Sequence, residues 1–201
     1  MEPLRLFIAI EIPVSLLEQI DKAVEPLRRS IPQELIRWVP YHNIHLTLKF
    51  LGDVSPSNVE FLCRAISQEA ARHSPFDVTI EGWGVFPDIK RPRVLWIGIQ
   101  APPRLFQLQR GIDSATQRLG YAAEEREFTP HLTIGRVRSQ VNPDEIAKIR
   151  SALQRFSFDL KSTFAVTAVH LIKSDLQPEG ARYTRLFTAS LTSKEVTSEL
   201  T

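Results

Sequence analysis

The chain has 201 residues, 43% of them hydrophobic, with 25 Lys and Arg against 23 Asp and Glu, a formal charge of +2. That is enough chain for one compact domain, or one body of two small lobes, and the ordinary apolar content with mixed charge excludes a mainly disordered state. No apolar run approaches the roughly 18 residues of a membrane helix, and so small a net charge predicts that any contact with RNA is confined to a local site.

The first predicted element is a strand, with Leu4, Leu6, Ile8 and Ile10 alternating against Arg5, Phe7, Ala9 and Glu11. Its apolar run is short and stops at Glu11, which argues against a secretory signal. Ser15 and Glu18 have capping-box spacing ahead of Leu16, Leu17, Ile20, Val24 and Leu27, a helix that Pro26 should kink or end. Residues 44–51 return to a period of two. Ser55-Pro56 then opens a helix through Val59, Leu62, Cys63, Ile66 and Ala70. Cys63 is the only cysteine, so no intrachain disulfide can form, and a reducing, cytoplasmic setting is expected. Residues 76–85 read as another strand.

The second half repeats this order. Val94–Ile99 is a predicted strand, Pro102–Leu119 a helix stopped by Gly120, and residues 130–137 a strand. Asn142-Pro143 caps a helix with Ile146, Ile149 and Leu153, and Phe164–Ile172 and Tyr183–Leu191 add two strands. The repeat of strand, helix, strand, helix and strand predicts an α+β fold of two similar lobes over residues 1–192, with a polar tail at 193–201.

Two segments of this duplication match almost letter for letter: His45-Leu46-Thr47-Leu48 and His131-Leu132-Thr133-Ile134. Alternation puts His45 and Thr47 on one face, roughly 7 Å apart, and Leu46 and Leu48 on the other. His131 and Thr133 repeat the pattern. A pseudo-twofold between the lobes would bring both His-x-Thr faces to one groove. Histidine alone titrates near neutral pH without perturbation, so two opposed imidazoles can serve as acid and base on a phosphodiester. The threonine hydroxyls can donate to non-bridging oxygens. One such triplet is ordinary in a strand, but two polar pairs repeated on strand faces are costly to bury as mere packing.

The paired motifs HLTLKFLG and FTPHLTIGR, with RLFIAIEIP before them and RYTRL near Tyr183, resemble the two-histidine (2H) phosphoesterase superfamily. The nearest branch is the RNA 2′,3′-cyclic phosphodiesterases, also called 2′-5′ RNA ligases. The resemblance implies a bilobal fold with antiparallel sheets lining a cleft and helices outside. It implies hydrolysis of a 2′,3′-cyclic phosphate to a 2′-phosphomonoester without metal or cofactor. His45 would be the proton donor to the 3′-oxygen and His131 the base for water. Spacing alone leaves those two roles interchangeable.

Arg136 and Phe50 each lie five residues after a motif histidine. By resemblance the arginine helps hold the phosphate or base and the phenylalanine stacks on a nucleobase, with core packing the rival reading for Phe50. Strict alternation objects, since an offset of five puts both on the face opposite their histidines. A bulge, with Gly52 and Gly135 as candidate places, would re-aim them.

Other polar residues carry blander readings. His42 and His45 lack companions for a metal site, His73 suits a helix C-terminus, and His170 reads as solvent-facing or locally hydrogen-bonded. Lys90, Arg91 and Arg93 form a basic turn that could guide an RNA backbone. Trp38, Trp83 and Trp96 read as core or lobe-interface residues. The sequence thus predicts a monomeric enzyme acting on RNA 2′,3′-cyclic phosphate ends. The alternatives are a phosphodiesterase for small cyclic nucleotides, 2′-5′ joining at the same site, and a non-catalytic module that binds RNA ends.

Overall fold

In a computed structural model, residues 2–177 and 180–192 are described. The strands are β1 (Leu4–Glu11), β2 (Ile36–Trp38), β3 (His45–Val54), β4 (Phe76–Phe86), β5 (Val94–Gln100), β6 (His131–Val137), β7 (Ser162–Val166), β8 (Ala168–Gln177) and β9 (Gly180–Ser190). The helices are α1 (Val14–Ser30), α2 (Val59–Ala70), α3 (Pro103–Gln117) and α4 (Pro143–Arg155). The expected polar tail at 193–201 lies outside the described residues.

The strands run β7-β4-β5-β6-β3-β1-β8-β9, with β2 added to β6. All pairings are antiparallel, but β3 and β6 meet at a single pair, Leu46 with Leu132. That narrow join divides the sheet into two lobes, β3-β1-β8-β9 and β2-β6-β5-β4-β7. One continuous core underlies both: Leu6, Ile8, Ile10, Leu46, Leu48, Leu132 and Ile134 face the apolar stripes of the four helices. The other sheet face carries a separate small cluster of Phe7, Ala9 and Ile172, with Tyr183 packed on it.

The lobes are not the two halves of the sequence. β4 pairs with β5 in the second lobe, and β8 and β9 return to the first. The segment read as one strand, Phe164–Ile172, is two: β7 pairs with β4, Thr167 breaks the run, and β8 pairs with β1 in the other lobe. Exchange of strands ties the lobes together more firmly than the one β3–β6 pair could.

Three local expectations also change. α1 starts at Val14 with Pro13 at its cap, so Ser15 lies inside the first turn and the Ser15–Glu18 capping box does not form. Pro26 stays within α1, which continues to Ser30. His170 is buried, which excludes the solvent-facing reading, while its Nδ1 3.0 Å from the hydroxyl of its cross-strand partner Thr188 bears out the hydrogen-bonded one. The cap on α4 forms as expected: Asn142 accepts from the Glu145 N–H at 3.0 Å, and the Glu145 carboxylate accepts from the Asn142 N–H at 2.8 Å.

Candidate active site

Each motif histidine is the first residue of a strand beside the join, on β3 and β6. The Leu46–Leu132 pair fixes the relation between them. Extending that antiparallel register by one residue either way sets His45 across from Thr133 and Thr47 across from His131, with the pseudo-twofold running through the leucines. Leu46 and Leu132 are buried beneath, while all four polar residues are half-buried on the opposite face.

A bulge at the same place in each lobe settles the direction of the fifth residue. On β3, Thr47 pairs with Ala9 and Lys49 with Ile8, leaving Leu48 as the extra residue. On β6, Thr133 pairs with Trp96 and Gly135 with Leu95, leaving Ile134 extra. The inserted residue flips the alternation that follows. Lys49 and Gly135 therefore turn inward, and Phe50 and Arg136 join the face of the histidines. The expected re-aiming occurs at Leu48 and Ile134, not at Gly52 or Gly135. Phe50 is 61% exposed, which removes core packing as its role.

The inward-turned residues have separate tasks. Lys49 is buried and pairs with the Asp113 carboxylate of α3, and also donates to the Ala122 carbonyl. Gly135 leaves room for β2, because a Cβ there would come within 2.9 Å of Ile36 and 3.0 Å of Trp38.

Both imidazoles are held the same way. His45 Nδ1 lies 2.7 Å from the Asn43 carbonyl, and His131 Nδ1 lies 2.7 Å from the Thr129 carbonyl. A carbonyl only accepts, so Nδ1 carries the proton in each ring and Nε2 is left to exchange protons with a ligand. Asn43 is itself anchored, its side chain donating to the Ala181 carbonyl of β9 at 2.8 Å. Aromatic rings fix the imidazole planes. Phe7 stacks on His45 at 4.7 Å and Tyr183 meets its edge at 5.3 Å, while Phe86 meets His131 edge-on at 5.0 Å. Trp96, expected in the core or between lobes, lies on this face, 6.3 Å from His131.

The electrostatic surroundings differ. Burial pushes both imidazole pKa values down from the ordinary value, and the Arg136 guanidinium adds to the lowering at both. His45 alone has an opposing carboxylate: Glu11, its register partner on β1, favours the protonated ring. Glu11 is held by Arg185 of β9 at 3.0 Å. The corresponding partner of His131 is Gly98. Burial also raises the Tyr183 phenol, against the pull of Arg136 and Arg5, so its hydroxyl is a donor at neutral pH.

Sequence reasoning found the six residues of this face, and it missed Phe7, Glu11, Tyr183 and Arg185. The odd positions of β1 were visible as a polar-leaning strand face, but nothing in the sequence says which strand lies beside β3. Among the described residues, no group of three or more His, Cys, Asp or Glu side chains is arranged to hold a metal ion.

A bilobal antiparallel sheet carrying two matched His-x-Thr faces defines the class of two-histidine phosphoesterases. The chain belongs to the 2′-5′ RNA ligase superfamily, whose family model matches residues 16–178. It is 32% identical over 180 residues to the RNA 2′,3′-cyclic phosphodiesterase of Methanothermobacter thermautotrophicus, covering 90% of this chain and 95% of that one. Among solved structures, TT0787 of Thermus thermophilus superposes with a TM-score of 0.77 at 25% identity, covering 93% of this chain and 97% of that one. Escherichia coli LigT complexed with 3′-AMP superposes with a TM-score of 0.71 at 32% identity, over 95% and 99% of the two chains.

Proposed function

We propose that this protein is an RNA 2′,3′-cyclic phosphodiesterase and that the cleft face of β3 and β6 is its active site. The observation that carries the reading is the duplicated ladder, which presents two imidazoles with the same free nitrogen beside two hydroxyls and one guanidinium. Its similarity to curated phosphodiesterases over most of its length supplies the substrate class.

In the reaction, water attacks phosphorus and the P–O3′ bond breaks. His131 Nε2 takes the proton from the water as its oxygen bonds to phosphorus. His45 Nε2 gives a proton to the departing 3′-oxygen, and the product keeps a 2′-phosphomonoester. Glu11 beside His45 and glycine beside His131 support this division, because a carboxylate opposes the lowering by burial at the acid and has no counterpart at the base. Thr47, Thr133 and Arg136 hold the non-bridging oxygens as their charge grows. Phe50, with Phe7 and Tyr183 behind it, offers a stacking surface to the terminal base.

Neither step calls on a metal or a cofactor, since the imidazoles supply both proton transfers. On this reading residues 1–192 act as one unit, which the single core beneath both lobes supports, and the protein is a cytoplasmic monomer. The test is turnover of 2′,3′-cyclic AMP by the purified protein in excess EDTA. Release of the 2′-phosphate is expected. Tight binding without turnover would make the protein a binding module, and dependence on added metal would overturn the mechanism.

A further inference from the structure

The second lobe carries something the first lacks. β6 has β2 on the edge that also meets β3, opposite β5, and the register pairs Arg37 with Arg136 as direct cross-strand partners. Trp38 and Ile36, which flank Arg37, turn inward over Gly135, so Arg37 shares the outer face with Arg136. Both are exposed. Directly opposed residues of an antiparallel pair have Cβ atoms about 5 Å apart, and like charges so placed are destabilising.

Among the described residues no acidic side chain pairs with Arg37 or Arg136, and Arg138, the residue just past the end of β6, takes part in no ion pair. Arg138 is anchored through its N–H to the Leu35 carbonyl at 3.0 Å. The basic turn at Lys90, Arg91 and Arg93 reaches the same end, since the Arg93 carbonyl accepts from the Val137 N–H at 2.9 Å. Positive charge therefore continues from Arg136, beside the imidazoles, outward along β2 and the end of β6. Among the described residues the first lobe has no strand in the place of β2 and no counterpart of Arg37.

We propose that Arg37 is a second phosphate subsite, which binds the internucleotide phosphate on the 5′ side of the terminal ribose and so favours RNA ends over cyclic mononucleotides. The proposal rests on the active-site reading above, which puts the reacting phosphate at Arg136. A guanidinium one strand away meets the next phosphate of a chain that leaves the cleft over β2. Its planar fork suits that anion, and an anion between the two arginines removes the repulsion between them. A cyclic mononucleotide has only the one phosphate and gains nothing there.

The test compares binding of adenosine 2′-phosphate with that of a diadenylate ending in a 2′-phosphate, in the wild type, Arg37→Ala and Arg37→Lys. The wild type is expected to prefer the dinucleotide, and Arg37→Ala to reduce that preference about tenfold, the ordinary worth of a charged hydrogen bond. The dependence of log K on log salt for the dinucleotide should flatten by about 0.7, the loss of one phosphate contact on a single strand. Arg37→Lys should retain the salt slope. An equal loss for both ligands, or an unchanged preference, overturns the subsite. Because binding is read without turnover, failure of the wild type to hydrolyse 2′,3′-cyclic AMP would count against the active-site reading alone.

Discussion

The two lobes share one ladder and differ at the positions that matter for chemistry. Reading outward from each histidine, the β1–β3 pairs are Glu11/His45, Ile10/Leu46, Ala9/Thr47, Ile8/Lys49 and Phe7/Phe50. The β5–β6 pairs are Gly98/His131, Ile97/Leu132, Trp96/Thr133, Leu95/Gly135 and Val94/Arg136. The bulge falls at the same step in both. What is common is the frame of imidazole, hydroxyl and re-aimed fifth residue to which the proposed mechanism assigns the chemistry. What differs is a carboxylate against glycine beside the histidine, and an aromatic ring against a guanidinium at the fifth position, and the proposed division of labour rests on that difference. Over these five pairs a near-symmetric ladder thus becomes asymmetric through a few substitutions.

The largest test of the shared frame is loss of either imidazole. His45→Ala and His131→Ala are each expected to cost on the order of 10²–10⁴-fold in kcat, and the double variant far less than the product of the two, because the pair acts as a unit. Multiplying losses would mean that the rings serve separate events. Next come the hydroxyls: Thr47→Ala and Thr133→Ala should each lower kcat/KM by the equivalent of about 2–4 kcal/mol if both donate to the developing charge. A loss at one position only would break the symmetry assigned to them.

The inward residues after the bulge sharpen the comparison on the side of stability. Asp113→Ala leaves the Lys49 ammonium buried without its carboxylate and should destabilise the fold by about 3 kcal/mol in denaturant unfolding. Lobe two offers no such target, since Gly135 occupies the matching place. A change below about 0.5 kcal/mol would mean that Lys49 escapes to water.

The smallest expected effect concerns Glu11. With both imidazole pKa values lowered by burial, kcat/KM should follow a bell centred on the acid side of about 6.5. The acid limb reports protonation of the base His131, and the alkaline limb reports loss of the proton from the acid His45. Glu11→Gln removes the charge that favours protonated His45, so the alkaline limb should move to lower pH while the acid limb stays. Movement of the acid limb instead would exchange the roles.

Much of this was legible beforehand because burial writes periodicity into sequence. The strands bearing His45 and His131 and the helices α2, α3 and α4 bury one face each, and their apolar spacing is regular. The bulges were not legible: Leu48 and Ile134 are apolar residues in apolar positions, and an extra residue shows only against a partner strand. β2 escaped notice because three residues carry no period. The exchange of strands was hidden because alternation runs on almost undisturbed through Thr167, the point where the chain crosses between lobes. Glu11 read as the end of a strand, and its meaning appeared only when β1 was found beside β3.

The division of labour between the imidazoles is tested most directly with a 2′,3′-cyclic substrate whose 3′-oxygen is replaced by sulfur. A thiol has a pKa near 8.5 and leaves as thiolate without a donated proton. Single-turnover rates for His45→Ala should then recover most of the wild-type rate, while His131→Ala stays slow. Recovery by His131→Ala and not by His45→Ala would contradict the account.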